Sequence, residues 1–215
     1  SERGPAYLLD QDVLLVTLNY RVGVIGFLST GDDVIPGNNG LKDQSLALKW
    51  VYENVEGFGG DPKRITLMGH SSGAASAHFH MMSDMSKKYI NNAISLSGNG
   101  FNFWAFFPNY HAESQTQKFA KLVNCPLESR AFLSCLTQMD PVSIVRAQRE
   151  MAVWKASNQL PIIYASAFIF VPVIEANKTG SFIVETPEEA YRHGHVKEIP
   201  WITTMTQDEG NFAGA

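Results

Sequence analysis

A serine between glycines is the feature of this sequence that could carry out covalent chemistry. Residues 69–73 read Gly-His-Ser-Ser-Gly and match the pattern G-x-S-x-G around Ser71. The pattern follows a β-prone run, Arg64–Met68, and precedes a stretch rich in small residues. A strand, a sharp turn and a helix in this order lift a serine hydroxyl above a sheet as a nucleophile. We therefore predict that Ser71 is a nucleophile and that the backbone N–H of Ser72 stabilises an oxyanion. The alternative is an ordinary Gly/Ser turn.

The elements that must position this turn alternate between strands and helices. Leu41–Val55 has the apolar spacing of an amphipathic helix, and the stretch after Ser71 reads as a second helix. The candidate strands are Asp12–Tyr20, Ile65–Met68, Ala93–Leu96 and Trp201–Thr206. The first of these is a continuous apolar run, which is typical of a strand buried on both faces of a parallel sheet. The order predicts an α/β fold with a mostly parallel, doubly wound sheet flanked by helices.

The second half of the chain is predicted to be more helical. Its candidate helices are Glu113–Val123, Ser129–Met139 and one that starts at Pro141 with Asp140 as N-cap. Thr186 and Glu189 form a capping-box pattern for a short helix that ends at Gly194. No internal repeat or linker divides the sequence, so we expect residues 1–215 to belong to a single domain.

Composition excludes several classes of protein. The 215 residues are 45% hydrophobic and 18% charged, as in an ordinary globular protein rather than a disordered chain. The net charge of −4, with no basic stripe, argues against a nucleic-acid partner. Apolar runs are shorter than the roughly 20 residues that span a bilayer. Two cysteines exclude a cysteine-rich scaffold, and nothing in the sequence indicates a cofactor.

Longer motifs give the sequence a specific resemblance. The segments that carry it are Leu18–Ser29, Gly37–Ser76, Ser95–Gly98, Phe170–Glu175 and Thr206–Phe212. Together they resemble the type-B carboxylesterase/cholinesterase family. The resemblance implies an α/β-hydrolase fold and hydrolysis of small-molecule carboxylic esters through an acyl-enzyme intermediate. The alternative is a cholinesterase-like adhesion or scaffold protein that keeps the fold without catalysis, although such proteins commonly lose triad residues.

The resemblance also implies the remaining catalytic groups. A serine nucleophile requires a histidine base and a carboxylate that orients it. The family's acid matches Glu209, whereas Asp208 is the alternative by chemistry alone. In α/β hydrolases the histidine follows the acid, yet every histidine here precedes Glu209: His70, His78, His80, His111, His193 and His195. We expect the base beyond Ala215 and a glycine-rich oxyanion loop upstream of Ser1, as in the central part of a longer enzyme. The chain by itself is then expected to be inactive.

Pocket residues are also implied by position. The family usually has glutamate before the nucleophile, and His70 replaces it here. Loss of that charge favours neutral esters over cationic, choline-type ones; the alternative is that His70 packs under the turn at Gly69–Gly73, which we call the elbow. Trp104 and Phe168 match positions on the acyl side of the family's pocket, although plain core packing is the alternative for both. Arg21 and Asp43 match buried charged positions, where an ion pair is expected.

Two features outside the pocket concern the cellular location of the protein. Cys125 and Cys135 match a small disulfide loop of the family, with two reduced thiols as the alternative. Asn177 begins an N-x-T glycosylation sequon, and a disulfide with a sequon favours the secretory pathway or the extracellular space.

No metal site is predicted. His78 and His80 are two residues apart on a helix and do not share a face. No carboxylate or cysteine lies at ligand spacing beside His193 and His195.

Overall fold

A parallel sheet lies at the centre of the computed structural model, which describes residues 4–156 and 169–209. Its strands are β1 (Thr66–His70), β2 (Asn92–Leu96) and β3 (Trp201–Thr204), in the order β1-β2-β3. Both pairs are parallel: Thr66 lies opposite Asn92, and Ala93 lies opposite Trp201. Because the three strands run in one direction, their carboxyl ends meet at a single edge. Any residue that directly follows a strand is brought to that edge.

Helices lie before, between and after these strands along the chain. In chain order they are α1 (Ala6–Leu9), α2 (Gly23–Phe27), α3 (Asn39–Asn54), α4 (Ser72–Met82), α5 (Asn109–Leu122), α6 (Ser129–Thr137), α7 (Pro141–Ala156) and α8 (Pro187–His193). Short 3₁₀ turns cover Val55–Phe58, Pro62–Arg64 and Lys87–Tyr89. Helix α4 packs on β1 and β2, and its buried alanines, Ala74, Ala75 and Ala77, allow backbone and sheet to approach closely.

The helices of the second half follow their local signals. The Asp140 carboxylate accepts a hydrogen bond from the Ser143 N–H at 3.1 Å, so the predicted N-cap of α7 is confirmed. Thr186 and Glu189 form the predicted capping box of α8, and Gly194 ends that helix with φ of 72°. These starts and stops depend on side chains within a few residues of the helix end, which is why the sequence was sufficient to predict them.

The predicted strand Asp12–Tyr20 is wrong for the described chain. Residues 13–20 lie outside the three-stranded sheet, and the side chains of Val13, Leu14 and Val16 are 52%, 50% and 49% exposed. A strand of this kind needs a ladder partner and a layer on each face. Among residues 4–156 and 169–209 this run has neither. The Arg21–Asp43 pair is present at 2.7 Å, but these side chains are 48% and 26% exposed, so their predicted burial is also wrong.

Buried residues form three hydrophobic clusters. One cluster, which we call the disulfide lobe, contains Phe119, Phe132, Ile169 and the disulfide-bonded pair Cys125 and Cys135. The predicted disulfide is therefore present in the structure. A second cluster includes Leu41, Phe79 and Phe182 beneath α4, and a third includes Leu48, Met81 and Ile90. The first stabilises α5 to α7, whereas the other two hold α3 and α4 in place under the sheet.

Candidate active site at the carboxyl edge of the sheet

Ser71 lies in a strained turn between β1 and α4. Its φ of 56° and ψ of −119° place it in a region that residues other than glycine rarely adopt. The Ser71 N–H donates to the Leu96 carbonyl at 2.9 Å and ties the turn to β2. A Cβ at Gly69 would lie 2.0 Å from the Gly73 carbonyl oxygen, so this position requires glycine. The strand, turn and helix predicted around Ser71 are all present, and the serine is exposed.

Ser72 is the first residue of α4. The N–H groups of a helix's first turn have no acceptor within the helix, and the helix dipole adds positive potential at this end. Ser72 is the next residue after the exposed Ser71, so its N–H belongs to the peptide bond that joins the two residues. An oxyanion formed on an acyl group at Ser71 would therefore meet a favourable potential here.

Ser97 is a functional candidate that sequence reasoning missed. It directly follows β2 and has a φ of 58°, so a second strained serine lies beside the first. Its N–H donates to the Thr204 carbonyl at 2.8 Å, which fixes Ser97 against β3. Gly98 allows the backbone after Ser97 to approach the Ser71 backbone closely, because a Cβ at position 98 would lie 2.8 Å from the Ser71 carbonyl oxygen. The signal in the sequence is the Ser95–Gly98 motif, which places Ser97 directly after the β-prone run Ala93–Leu96.

Glu209 lies at the same edge, after β3. The Thr206 N–H and hydroxyl donate to its Oε1 at 3.2 Å and 3.3 Å. Hydrogen bonding, first from the Ser97 hydroxyl and then from the Thr206 N–H, lowers the pKa of Glu209, and the charge of nearby His70 acts in the same direction. The carboxylate is therefore ionised at neutral pH, as a residue that orients a catalytic imidazole must be.

The predicted pocket residues are placed differently from one another. His70 is the last residue of β1, is exposed and lies close enough to influence the Glu209 carboxylate. Trp104 lies beside the elbow, since a Cβ at Gly98 would approach its ring to 2.9 Å. Phe168 lies outside the described residues.

Two buried histidines support the site from below. His78 Nδ1 accepts from the Gly100 N–H at 3.0 Å, and its ring stacks on Trp201 at 4.4 Å. His80 lies between the Ser86 hydroxyl at 2.7 Å and the Gln44 amide oxygen at 2.9 Å. Burial lowers the pKa of His78 to about 4 and that of His80 to about 3. Both imidazoles are therefore neutral supports of α4 at physiological pH.

The exposed histidine pair has a carboxylate that sequence reasoning overlooked. Glu185 Oε2 lies 2.9 Å from His193 Nδ1, and its Oε1 lies 2.6 Å from His195 Nδ1. A carboxylate therefore accompanies this pair in the fold, although none lies at ligand spacing in the sequence. Glu185 precedes the histidines by eight and ten positions, beyond the short spacings of familiar ligand motifs.

Two surface features concern location. Asn177 is exposed, so its side chain is accessible for glycosylation. Within residues 4–156 and 169–209, no helix combines the length and hydropathy required to cross a bilayer.

Comparison with known proteins decides the family. The family model described as "Carboxylesterase family" matches residues 1–215. The chain belongs to the carboxylesterase family. The crystal structure of juvenile hormone esterase from Manduca sexta, with OTFP covalently attached, superposes with a TM-score of 0.79 at 30% identity. That match covers 92% of this chain and 36% of the Manduca chain. The predicted α/β-hydrolase fold and the resemblance to this family are thereby confirmed.

Sequence relatives agree with this assignment. Venom carboxylesterase-6 from Apis mellifera is 36% identical over 216 residues, covering 100% of this chain and 37% of the relative. Esterase FE4 from Myzus persicae is 39% identical over 209 residues, covering 96% of this chain and 35% of the relative. The chain thus spans little more than a third of the length of these relatives.

Proposed function

We propose that this chain belongs to the single α/β-hydrolase domain of a serine carboxylic-ester hydrolase, with Ser71 as nucleophile. The observation that carries the proposal is the grouping at one sheet edge. Ser71 has a strained φ, Ser72 presents a helix N-terminal N–H, and hydrogen bonds from Ser97 and Thr206 lower the pKa of Glu209. Groups of this kind, on successive parallel strand ends, serve nucleophilic acyl transfer.

The reaction then has two balanced steps. The Ser71 hydroxyl loses its proton to a histidine and attacks the ester carbonyl. The resulting oxyanion is stabilised by the Ser72 N–H, and the alcohol leaves with the proton. Water, deprotonated by the same histidine, releases the acid and restores the serine. Glu209 orients that histidine, which we place after Glu209 in the full-length protein because the family order is Ser, acid, His. The covalent attachment of OTFP in the Manduca relative supports a covalent route.

Neutral esters are the proposed substrates. His70, at the end of β1, adds no negative charge beside Ser71, and so gives a cationic substrate group no electrostatic partner there. Trp104 beside Gly98 supplies an apolar surface near the elbow, and we assign it and Phe168 to the acyl side of the pocket. The relatives include both a juvenile hormone esterase from Tribolium castaneum and a cholinesterase from Branchiostoma lanceolatum. His70 favours a substrate like that of the juvenile hormone esterase over one like that of the cholinesterase.

We also propose that the protein enters the secretory pathway. The Cys125–Cys135 disulfide is suited to an oxidising compartment, and the exposed sequon at Asn177 is suited to glycosylation in the secretory pathway. The name of the Apis relative, a venom carboxylesterase, agrees with export.

Covalent labelling tests the nucleophile directly. The full-length protein is treated with an organophosphate, and the modified peptide is sequenced by mass spectrometry. We expect stoichiometric phosphorylation of Ser71, none in Ser71→Ala, and normal labelling in Ser72→Ala, because Ser72 acts through its backbone. Labelling at another residue contradicts the assignment. A folded full-length protein that is not labelled at all also contradicts the assignment and favours the non-catalytic alternative.

A further inference from the structure

Three side chains with metal-ligand chemistry converge around helix α8. Glu185 precedes the helix, His193 is its last residue, and His195 follows Gly194. Both imidazoles direct Nδ1 towards the same carboxylate, at 2.9 Å and 2.6 Å. One donor atom from each of the three residues lies within 4.8 Å of the others.

The backbone at both ends of α8 holds these residues in place. The capping box of Thr186 and Glu189 fixes the turn that follows Glu185. At the other end Gly194 adopts φ of 72°, and the His195 N–H donates to the Ala190 carbonyl at 2.9 Å. This left-handed turn brings His195 back beside His193, with ring centroids 5.5 Å apart. The rule that residues two apart on a helix diverge does not apply, because the helix has ended.

We propose that Glu185, His193 and His195 bind a divalent transition-metal ion of the zinc type. Two imidazole nitrogens and one carboxylate oxygen are ligands that Zn²⁺ accepts at about 2.0–2.2 Å. The three donor atoms lie within 4.8 Å of one another, and ligands of a tetrahedral ion at these bond lengths are about 3.4 Å apart, so rotation of exposed side chains can bring them to that spacing. Two hydrogen bonds are then replaced by three coordinate bonds, and water completes the shell.

Exposure and nearby charge are compatible with entry of a cation. The imidazoles are 51% and 59% exposed, whereas the Glu185 carboxylate is 19% exposed and braced by its two partners. Lys87 approaches the cluster, with its Nζ donating to the His195 carbonyl at 3.1 Å. Its charge is balanced by Asp84, with Nζ and Oδ1 2.5 Å apart.

Bound metal would fasten α8 at the point where it supports α4. Tyr191 of α8 contacts His78 of α4, with the hydroxyl 2.9 Å from Nε2. A cross-link between the segment before α8 and the turn after it restrains both ends of the helix. Zn²⁺ is therefore expected to raise the unfolding temperature of the native protein.

Zn²⁺ titration of the full-length, chelator-treated protein tests the site. Affinity is measured by competition with a chromophoric chelator, and stability by thermal unfolding with and without Zn²⁺. Glu185→Gln, His193→Asn and His195→Asn are each expected to weaken one Zn²⁺ site by about tenfold or more, since loss of mere supporting groups already costs 10–100-fold. His111→Asn removes an imidazole outside the cluster and is expected to leave this site unchanged. Unchanged binding in all three cluster variants overturns the proposal, as does an equal loss in His111→Asn.

Co²⁺ binding to the wild-type protein provides a second test that depends on no variant. Cobalt in a site with nitrogen and oxygen ligands gives visible d–d absorption bands, and we expect one equivalent of Zn²⁺ to displace them. A featureless visible spectrum at saturating Co²⁺ overturns the proposal even if a cluster variant fails to fold.

Discussion

The sheet edge and the disulfide lobe make opposite contributions to the free energy of folding. At the edge, Ser71 and Ser97 hold strained backbone conformations, and polar side chains are exposed. In the lobe, Phe119 and Phe132 are 0% and 1% exposed and pack around a disulfide. Strain at the edge costs about 1–3 kcal/mol per residue, whereas burial in the lobe stabilises the fold. The two regions should therefore separate experimentally, with turnover sensitive to one and unfolding sensitive to the other.

The largest difference between the effect on turnover and the effect on stability is expected for Ser71→Ala in the full-length protein. Without the nucleophile, ester turnover should fall by about 10⁶-fold. The free energy of unfolding should change by less than about 0.5 kcal/mol, since the side chain is exposed. Ser72→Ala is the matched control and should retain turnover. p-Nitrophenyl ester hydrolysis and thermal unfolding measure the two effects; Ser71-independent turnover contradicts the assignment.

Glu209→Gln should have the next largest effect on turnover. Removing the charge that orients the base cost about 10⁴-fold in the analogous serine-protease substitution, and we expect a loss of that order in kcat. Asp208→Asn is the control and should leave kcat nearly unchanged. If the two variants exchange these outcomes, Asp208 is the acid.

Acidification should affect the layer beneath the edge. The pKa values of His78 and His80 in the folded protein, about 4 and about 3, lie below the unfolded value of about 6.5. The unfolded chain therefore binds more protons between pH 3 and 6.5, so stability falls as pH falls below 6.5, by several kcal/mol at pH 4. Urea unfolding from pH 4 to 8 measures this slope. His80→Gln should reduce this slope; an unchanged slope in His80→Gln contradicts the explanation.

Removal of the disulfide should change the lobe alone. Replacing Cys125 and Cys135 together by serine releases a short loop, worth roughly 2–3 kcal/mol. Unfolding by guanidinium should shift accordingly, whereas kcat/KM at moderate temperature should stay within about twofold because the edge is held by other contacts. A large loss of turnover without loss of stability would show that the two regions are coupled.

The smallest expected effect concerns substrate preference. His70→Glu restores a carboxylate beside Ser71 and should shift the ratio of kcat/KM towards a trimethylammonium ester by about 1 kcal/mol, relative to its neutral isostere. His70→Gln is the neutral control. A wild-type preference for the cation, unaltered by His70→Glu, would refute the proposed role of His70.

Local signals in the sequence determined the elbow and the helices of the second half. The turn at Ser71 needs glycine at position 69 and a strand before it, and both are contiguous in sequence. The caps of α7 and α8 likewise depend on residues at most three positions apart. Where the deciding interaction lies within one turn of the chain, residue types and spacing are sufficient.

Only the tertiary structure decided which distant groups meet. It brought Ser97 to Glu209 and placed Glu185 between His193 and His195. It also left the apolar run at Asp12–Tyr20 outside the sheet, because hydrophobicity specifies the burial a strand prefers but supplies no ladder partner or covering layer. Contacts across many residues depend on how strands are ordered and how turns redirect the chain, and spacing along the sequence carries little information about either.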